Sequence, residues 1–234
     1  MKRRQFISLL GSAALLSGCG GETASVRFRV IARVTVDGEP VEGSTVMEVK
    51  YSRVTNSLIG AGGATTLWGE ALVLDLKGKG TVYVLPYEHQ DHTSLTIIYE
   101  PGVLSSLGIK NSIGGLEDND FLRLESASGR MPFDHFSRLP AFVSFRDEKI
   151  PNTIYEVEPR NMEQYFPGVH FVGLDIEITK DPVTQVLKTR LPWLVSPYSK
   201  VAWDRDKPGH LRPDKDKPLG YKIVYEFFFG NGSW

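Results

Sequence analysis

The chain has 234 residues, 41% of them hydrophobic and 24% charged, which fits one globular domain and excludes both a disordered chain and a polytopic membrane protein. Its formal net charge is −1, and removing residues 1–18 leaves 24 basic against 28 acidic residues, a net of −4. A weakly acidic body lacks the electrostatic footprint that holds phosphate backbones, so nucleic acid is excluded as a partner.

Lys2, Arg3 and Arg4 form a positive start, and Phe6 to Leu16 an apolar run of 11 residues diluted by Ser8, Gly11 and Ser12. A bilayer-crossing helix needs about 20 residues, so this run reads as the apolar centre of an export signal rather than as an anchor. Leu16-Ser17-Gly18-Cys19 follows it. This resembles the bacterial lipobox, in which two small residues let a peptidase fit closely around the bond before the cysteine. The resemblance implies cleavage before Cys19, a diacylglyceryl thioether on its sulfur and fatty acylation of the freed amine. Two or more acyl chains hold a protein stably at a bilayer, whereas one does so only marginally. Cys19 is the sole cysteine, so no intramolecular disulfide can form. No cofactor is expected beyond this covalent lipid, and the membrane is the expected partner. Arg3-Arg4-Gln5-Phe6-Ile7 resembles a twin-arginine signal, which implies export of a folded protein; a basic start also suits the general secretory route. Gly20 carries no aspartate-type retention signal, which by similarity to enterobacterial sorting favours the outer membrane.

The organisation expected is a signal over 1–18, a lipidated tether over 19–25 and a single mostly-β domain over 26–234. Phe28, Val30, Ala32, Val34 and Val36 alternate with polar residues, the period of a strand with one wet face, interrupted by Ile31. Asp37-Gly38-Glu39-Pro40 signals a turn into a second strand in which Thr45, Met47, Val49 and Tyr51 alternate. Arg27, Arg29 and Arg33 are expected to form ion pairs with Glu48 and its neighbours across this hairpin. Asn56 to Thr66, with Gly60, Gly62 and Gly63, reads as a mobile loop. Ala71–Leu76, a Gly78-Lys79-Gly80 turn and Thr81–Tyr87 predict a second hairpin, and Leu95–Tyr99 a further strand. Ala141–Phe145 and Ile154–Val157 read as short strands. Pro159 opens a short helix ending at Pro167-Gly168. His170, Val172, Leu174, Ile176 and Ile178 alternate as a strand, with His170 at the rim of the core. Asp181-Pro182 is expected to cap a helix reaching Leu191. Tyr221 to Phe229 predict a last, buried strand. The whole is mainly β (α+β): an antiparallel sandwich-like or bent sheet with two short helices.

Candidate chemistry is sparse. His89, Asp91 and His92, with Glu88, place metal-ligating side chains within five residues. On a strand, however, the two histidines would point to opposite faces, so a solvated loop is preferred and no metal site is assigned. Glu117, Asp118 and Asp120 read as a solvated acidic turn rather than a calcium loop. Ser105-Ser106 lacks a nucleophile elbow, and Asp134-His135 are neighbours without orientation. Trp193 and Trp203 could form a sugar-stacking or partner surface, with core packing preferred.

Phe145-Arg146-Asp147, Pro151-Asn152-Thr153, Val157-Glu158-Pro159, Asp181-Pro182-Val183-Thr184 and Leu191-Pro192-Trp193-Leu194, with Gly69-Glu70-Ala71 and the Gly-Lys-Gly turn, resemble an uncharacterised family of bacterial exported proteins and lipoproteins. That resemblance implies export and carries no activity. The expected function is a membrane-tethered envelope lipoprotein, a non-catalytic binding or structural module with an envelope protein or glycan as partner. The alternative is an exported hydrolase or metal-dependent enzyme acting on envelope polymer.

Overall fold

A computed structural model of the chain describes residues 22–56, 60–88, 97–110, 116–133, 138–195 and 228–232. Among these, β1 (Glu22–Val36) and β2 (Glu39–Asn56) form the long hairpin anticipated from the alternation. Asp37 and Gly38 both have positive φ, 51° and 85°, as a two-residue reversal matched to strand twist requires. One face of β1 is buried at every second residue from Ala24 to Val36 and meets Met47, Val49 and Tyr51 of β2.

β1 begins at Glu22, not at Val26, so the last four residues read as tether are strand, paired with residues 50–53. Because β2 runs on to Asn56, pairing satisfies these backbone groups and buries Ala24. β3 (Gly60–Trp68) pairs with β2 from Glu48↔Trp68 to Asn56↔Gly60. The glycine-rich stretch is thus mostly strand rather than loop: a neighbouring backbone holds it, and that needs no side chains.

β4 (Leu72–Asp75) and β5 (Thr81–Glu88) form the second hairpin. Its reversal falls at Lys77-Gly78, with φ of 52° and 87°, one residue before the turn expected. β6 (Gly129–Pro132), β7 (Pro140–Phe145), β8 (Ile154–Glu156) and β9 (Val169–Ile178) complete two antiparallel sheets, ordered β3-β2-β1-β9-β6 and β4-β5-β7-β8. The mainly-β antiparallel sandwich expected from the sequence is what forms. Every residue of β5 and β7 is buried. One face of this sheet packs Leu72, Leu74, Val82, Val84 and Phe142 against the first sheet. The other packs Tyr83, Leu85, Val143 and Phe145 against Leu187, Leu191, Leu194 and Phe228. A strand covered on both sides reads as a continuous apolar run, which is how Val82–Leu85 and Ala141–Val143 read.

The helices are not those expected. Tyr99 opens α1 (Tyr99–Ser106) instead of ending a strand; of the preceding residues, Ile97 makes an isolated bridge to Tyr87. Pro101 lies in the first turn, where its missing N–H costs nothing. The acidic run is the start of α2 (Asp118–Glu125), where Glu117 and Asp120 form a reciprocal capping box, so the solvated turn is corrected to a helix N-terminus. The helix expected after Pro159 is a 3-10 segment, Pro159–Gln164.

The helix expected over 182–191 shrinks to α3 (Leu187–Arg190). Before it, residues 179–186 form a strap over the outer face of the first sheet. Thr179 donates its N–H to Arg27 (3.0 Å), Asp181 pairs with Arg29, and Thr184 exchanges two bonds with the backbone of Val46 (2.9 and 3.0 Å). Those bonds to the sheet replace the intrahelical ones. The strap accounts for the burial of Ile31 and Val46, which share the outward side with Arg29. Of the three β1 arginines, Arg27 alone pairs with Glu48, at 2.6 Å. Arg29 pairs with Asp181 and Glu177, and Arg33 with Asp175, because β9 lies on the other side of β1.

A register shift between β1 and β9 at Arg33/Val34 skips Val172, which is 52% exposed. The bulge exchanges the two faces of the strand beyond it: Val169 is buried, and His170 points to solvent 3.7 Å from Glu163 instead of rimming the core. Of the last expected strand, Phe228 and Phe229 are described and buried. Residues 228–232 lie along 67–71, through Ala71 N–H to Phe228 O (2.7 Å), Gly230 N–H to Gly69 O (3.0 Å) and Gly232 N–H to Leu67 O (2.8 Å).

Candidate ligand cleft

Glu70 stands alone in an apolar run between Trp68 and Leu72, and a carboxylate buried there requires donors. It finds them across the sheet edge, where one carboxylate oxygen accepts the N–H groups of Val186 and Leu187 (3.0 Å for the latter) and so caps α3. Gly69 is needed to place it: φ is 136°, and a Cβ there would sit 2.7 Å from Met47 Cγ. Burial pushes the Glu70 carboxyl up from its ordinary value, against the pull of the two N–H groups and of Lys188.

Beside this cap a half-open cleft of about 420 Å³ lies between the β3–β4 connection and the strap, lined by Glu48, Trp68, Glu70, Thr184, Lys188 and Phe229 among others. Hydrogen bonds from Ser25 and then Arg27 hold the Glu48 carboxyl below its ordinary value, although partial burial opposes them. Both cleft carboxylates are therefore already engaged, one as a helix cap and one in an ion pair. The cleft offers an aromatic ring at Trp68, an ammonium at Lys188 and an amide at Gln185, a set suited to holding a ligand with a flat apolar face and polar edges.

A second polar cluster fastens the C-terminal layer to the second sheet. Arg190 contacts Thr81 Oγ1 (2.6 Å) and Glu148 (3.1 Å), Tyr83 donates its hydroxyl to Glu148 (2.9 Å), and Trp193 Nε1 donates to the Glu148 carbonyl (2.7 Å). Trp193 packs edge-on against Phe145 and Phe228, with ring centroids 5.6 and 6.2 Å apart, which is the packing reading of this residue. A third cluster joins α1 to β3 and the chain end, where Glu100 accepts from Thr65 Oγ1 (2.6 Å) and Asn231 Nδ2 (3.4 Å).

Of the residues singled out from the sequence, Arg3, Arg4, Cys19, His89, Asp91 and His92 lie outside the described residues, as do Asp134-His135 and Trp203. Among the described residues no group of three or more His, Cys, Asp and Glu side chains could hold a metal ion. Asp118 pairs with Arg53 (2.5 Å), and Ser105-Ser106 close α1. The cleft itself was not anticipated. The signal for it was Glu70, an acid with no polar neighbour in a stretch otherwise reading as core.

Fold and cleft together define a class, an antiparallel two-sheet β-sandwich with a C-terminal packing layer and a ligand-sized cleft at a strapped sheet edge. No family model, no curated protein and no solved structure matches the chain.

Proposed function

We propose that the protein is a lipoprotein of the bacterial cell envelope, exported by residues 1–18, anchored through lipid on Cys19, and carrying a non-catalytic binding or structural domain. The observation that carries this reading is Leu16-Ser17-Gly18-Cys19 placed directly after an apolar run of 11 residues. No helix among the described residues, which begin at Glu22, is long and apolar enough to cross a membrane. Binding rather than chemistry is favoured by the cleft, whose two carboxylates are tied up in a helix cap and an ion pair. An envelope glycan or a segment of an envelope protein has the mix of flat and polar surface that Trp68, Gln185 and Lys188 would meet. Gly20 favours outer-membrane placement, and Arg3-Arg4 supports the twin-arginine route over the general secretory one.

The test is Cys19→Ser in the full-length precursor. Mass spectrometry of the wild-type protein should find an acylated Cys19 at the mature terminus, and the variant should remain unprocessed at that bond. An unmodified wild-type cysteine, or normal processing and membrane fractionation of the serine variant, refutes the proposal.

A further inference from the structure

Resting on the lipidated reading of Cys19, we propose that the domain stands on the bilayer by the end of the sandwich at which β1 begins, with Glu22, Arg53 and the start of α2 facing the lipid headgroups. Only Gly20 and Gly21 separate Cys19 from Glu22. At no more than about 3.6 Å per step, the three Cα–Cα steps hold the first residue of β1 within about 11 Å of the Cys19 Cα.

That first residue is not a frayed end. Arg53, opposite Glu22 in register, pairs with Glu22 and with Asp118, donates to the carbonyl of Leu116 (3.0 Å) and lies over the ring of Phe121, 5.5 Å from its centroid. Strand β1, strand β2 and helix α2 are thus knotted together at the point where the anchor joins. The opposite end is far away, because β1 has 15 residues and so spans about 46 Å. There the turn at Asp37-Gly38 meets Lys79 and Gly168.

Among the described residues the near end carries Glu22, Glu117, Asp118 and Asp120 against Arg53, a net negative set that does not draw it to anionic lipid. The short anchor sets the orientation, and the surface it meets is one of zwitterionic headgroups.

Cys19 is the only cysteine and its thioether does not react with maleimides, so a cysteine introduced elsewhere is labelled uniquely. The lipidated full-length protein, as Thr23→Cys or Glu39→Cys, is labelled with a donor fluorophore and placed in phosphatidylcholine vesicles bearing a headgroup acceptor. Both positions are exposed, and near-ultraviolet dichroism checks that each variant folds. Energy transfer at residue 23 should exceed that at residue 39 several-fold. Inserting about ten Gly-Ser residues after Gly21 lengthens the reach to about 20 Å r.m.s. and should shrink the difference. Equal or reversed transfer in protein whose mass shows the lipid overturns the orientation and leaves the anchor standing. An unmodified Cys19 overturns the anchor, and the orientation with it.

Discussion

Replacing Glu70 with alanine tests whether this carboxylate is structural, and the structure sets the size of the effect. The substitution orphans two N–H groups. That of Leu187, whose side chain is 0% exposed, loses its partner in a dry site, at a cost of about 1–3 kcal/mol; that of Val186, 49% exposed, can turn to water at about 0–1 kcal/mol. With the packing of the lost methylenes, Glu70→Ala should cost about 2–4 kcal/mol. Glu70→Gln keeps an acceptor oxygen and removes a buried charge, so it should fall within about 1 kcal/mol of wild type. Urea unfolding followed by far-ultraviolet dichroism resolves the two: at about 2 kcal/mol per molar urea, the alanine midpoint moves down by about 1–2 M while the glutamine midpoint stays. The pH dependence gives a second check. Burial raises the folded-state value of Glu70 above the ordinary 4.5, so the stability tied to its protonated form is complete below 4.5 and is lost as pH climbs through the folded value. Wild type should therefore lose ground to Glu70→Gln as pH rises from about 4.5. Taking the difference between the two proteins removes the opposite contribution of Glu48, whose value is lowered. Alanine and glutamine variants of equal stability would refute the capping argument, and a wild type that gains on Glu70→Gln as pH rises would refute the dominance of burial.

Two further outcomes test the frame around the cleft. Gly230→Ala places a Cβ 2.3 Å from the Leu67 carbonyl oxygen, so the chain end must shift; a cost of about 1–3 kcal/mol is expected. Limited proteolysis should then cut near the C-terminus faster than in wild type, and an unchanged cleavage rate counts against the pairing of 228–232 with 67–71. Asp175 is buried between Arg33 (3.1 Å) and Arg130 (2.7 Å), whose side chains are only partly exposed. Asp175→Ala should cost about 1–3 kcal/mol and lower the melting temperature by about 3–10 °C in calorimetry. A shift under about 1 °C would mean the two guanidiniums reach water without loss.

Alternation along β1 and β2, the reversal at Asp37-Gly38, the second reversal to within one residue, and the unbroken apolar runs of β5 and β7 were all legible in the residues. Each is a local property: side-chain period fixes which face is wet, turn residues fix where the chain reverses, and an apolar run on both sides announces burial on both sides. The lipobox reading of Cys19 belongs to the sequence as well. Periodicity names a face but not the neighbour that covers it. Only the tertiary structure put β9 beside β1, and so gave Arg29 and Arg33 partners far along the chain instead of on the hairpin. It also used the bulge at Val172 to turn His170 outward, and bonded Thr184 to the edge of β2 so that a helical pattern was pulled straight into a strap. The cleft was hidden for the same reason: Glu70 and the two N–H groups that it caps are 116 and 117 residues apart, and no local pattern records a pairing made across that distance.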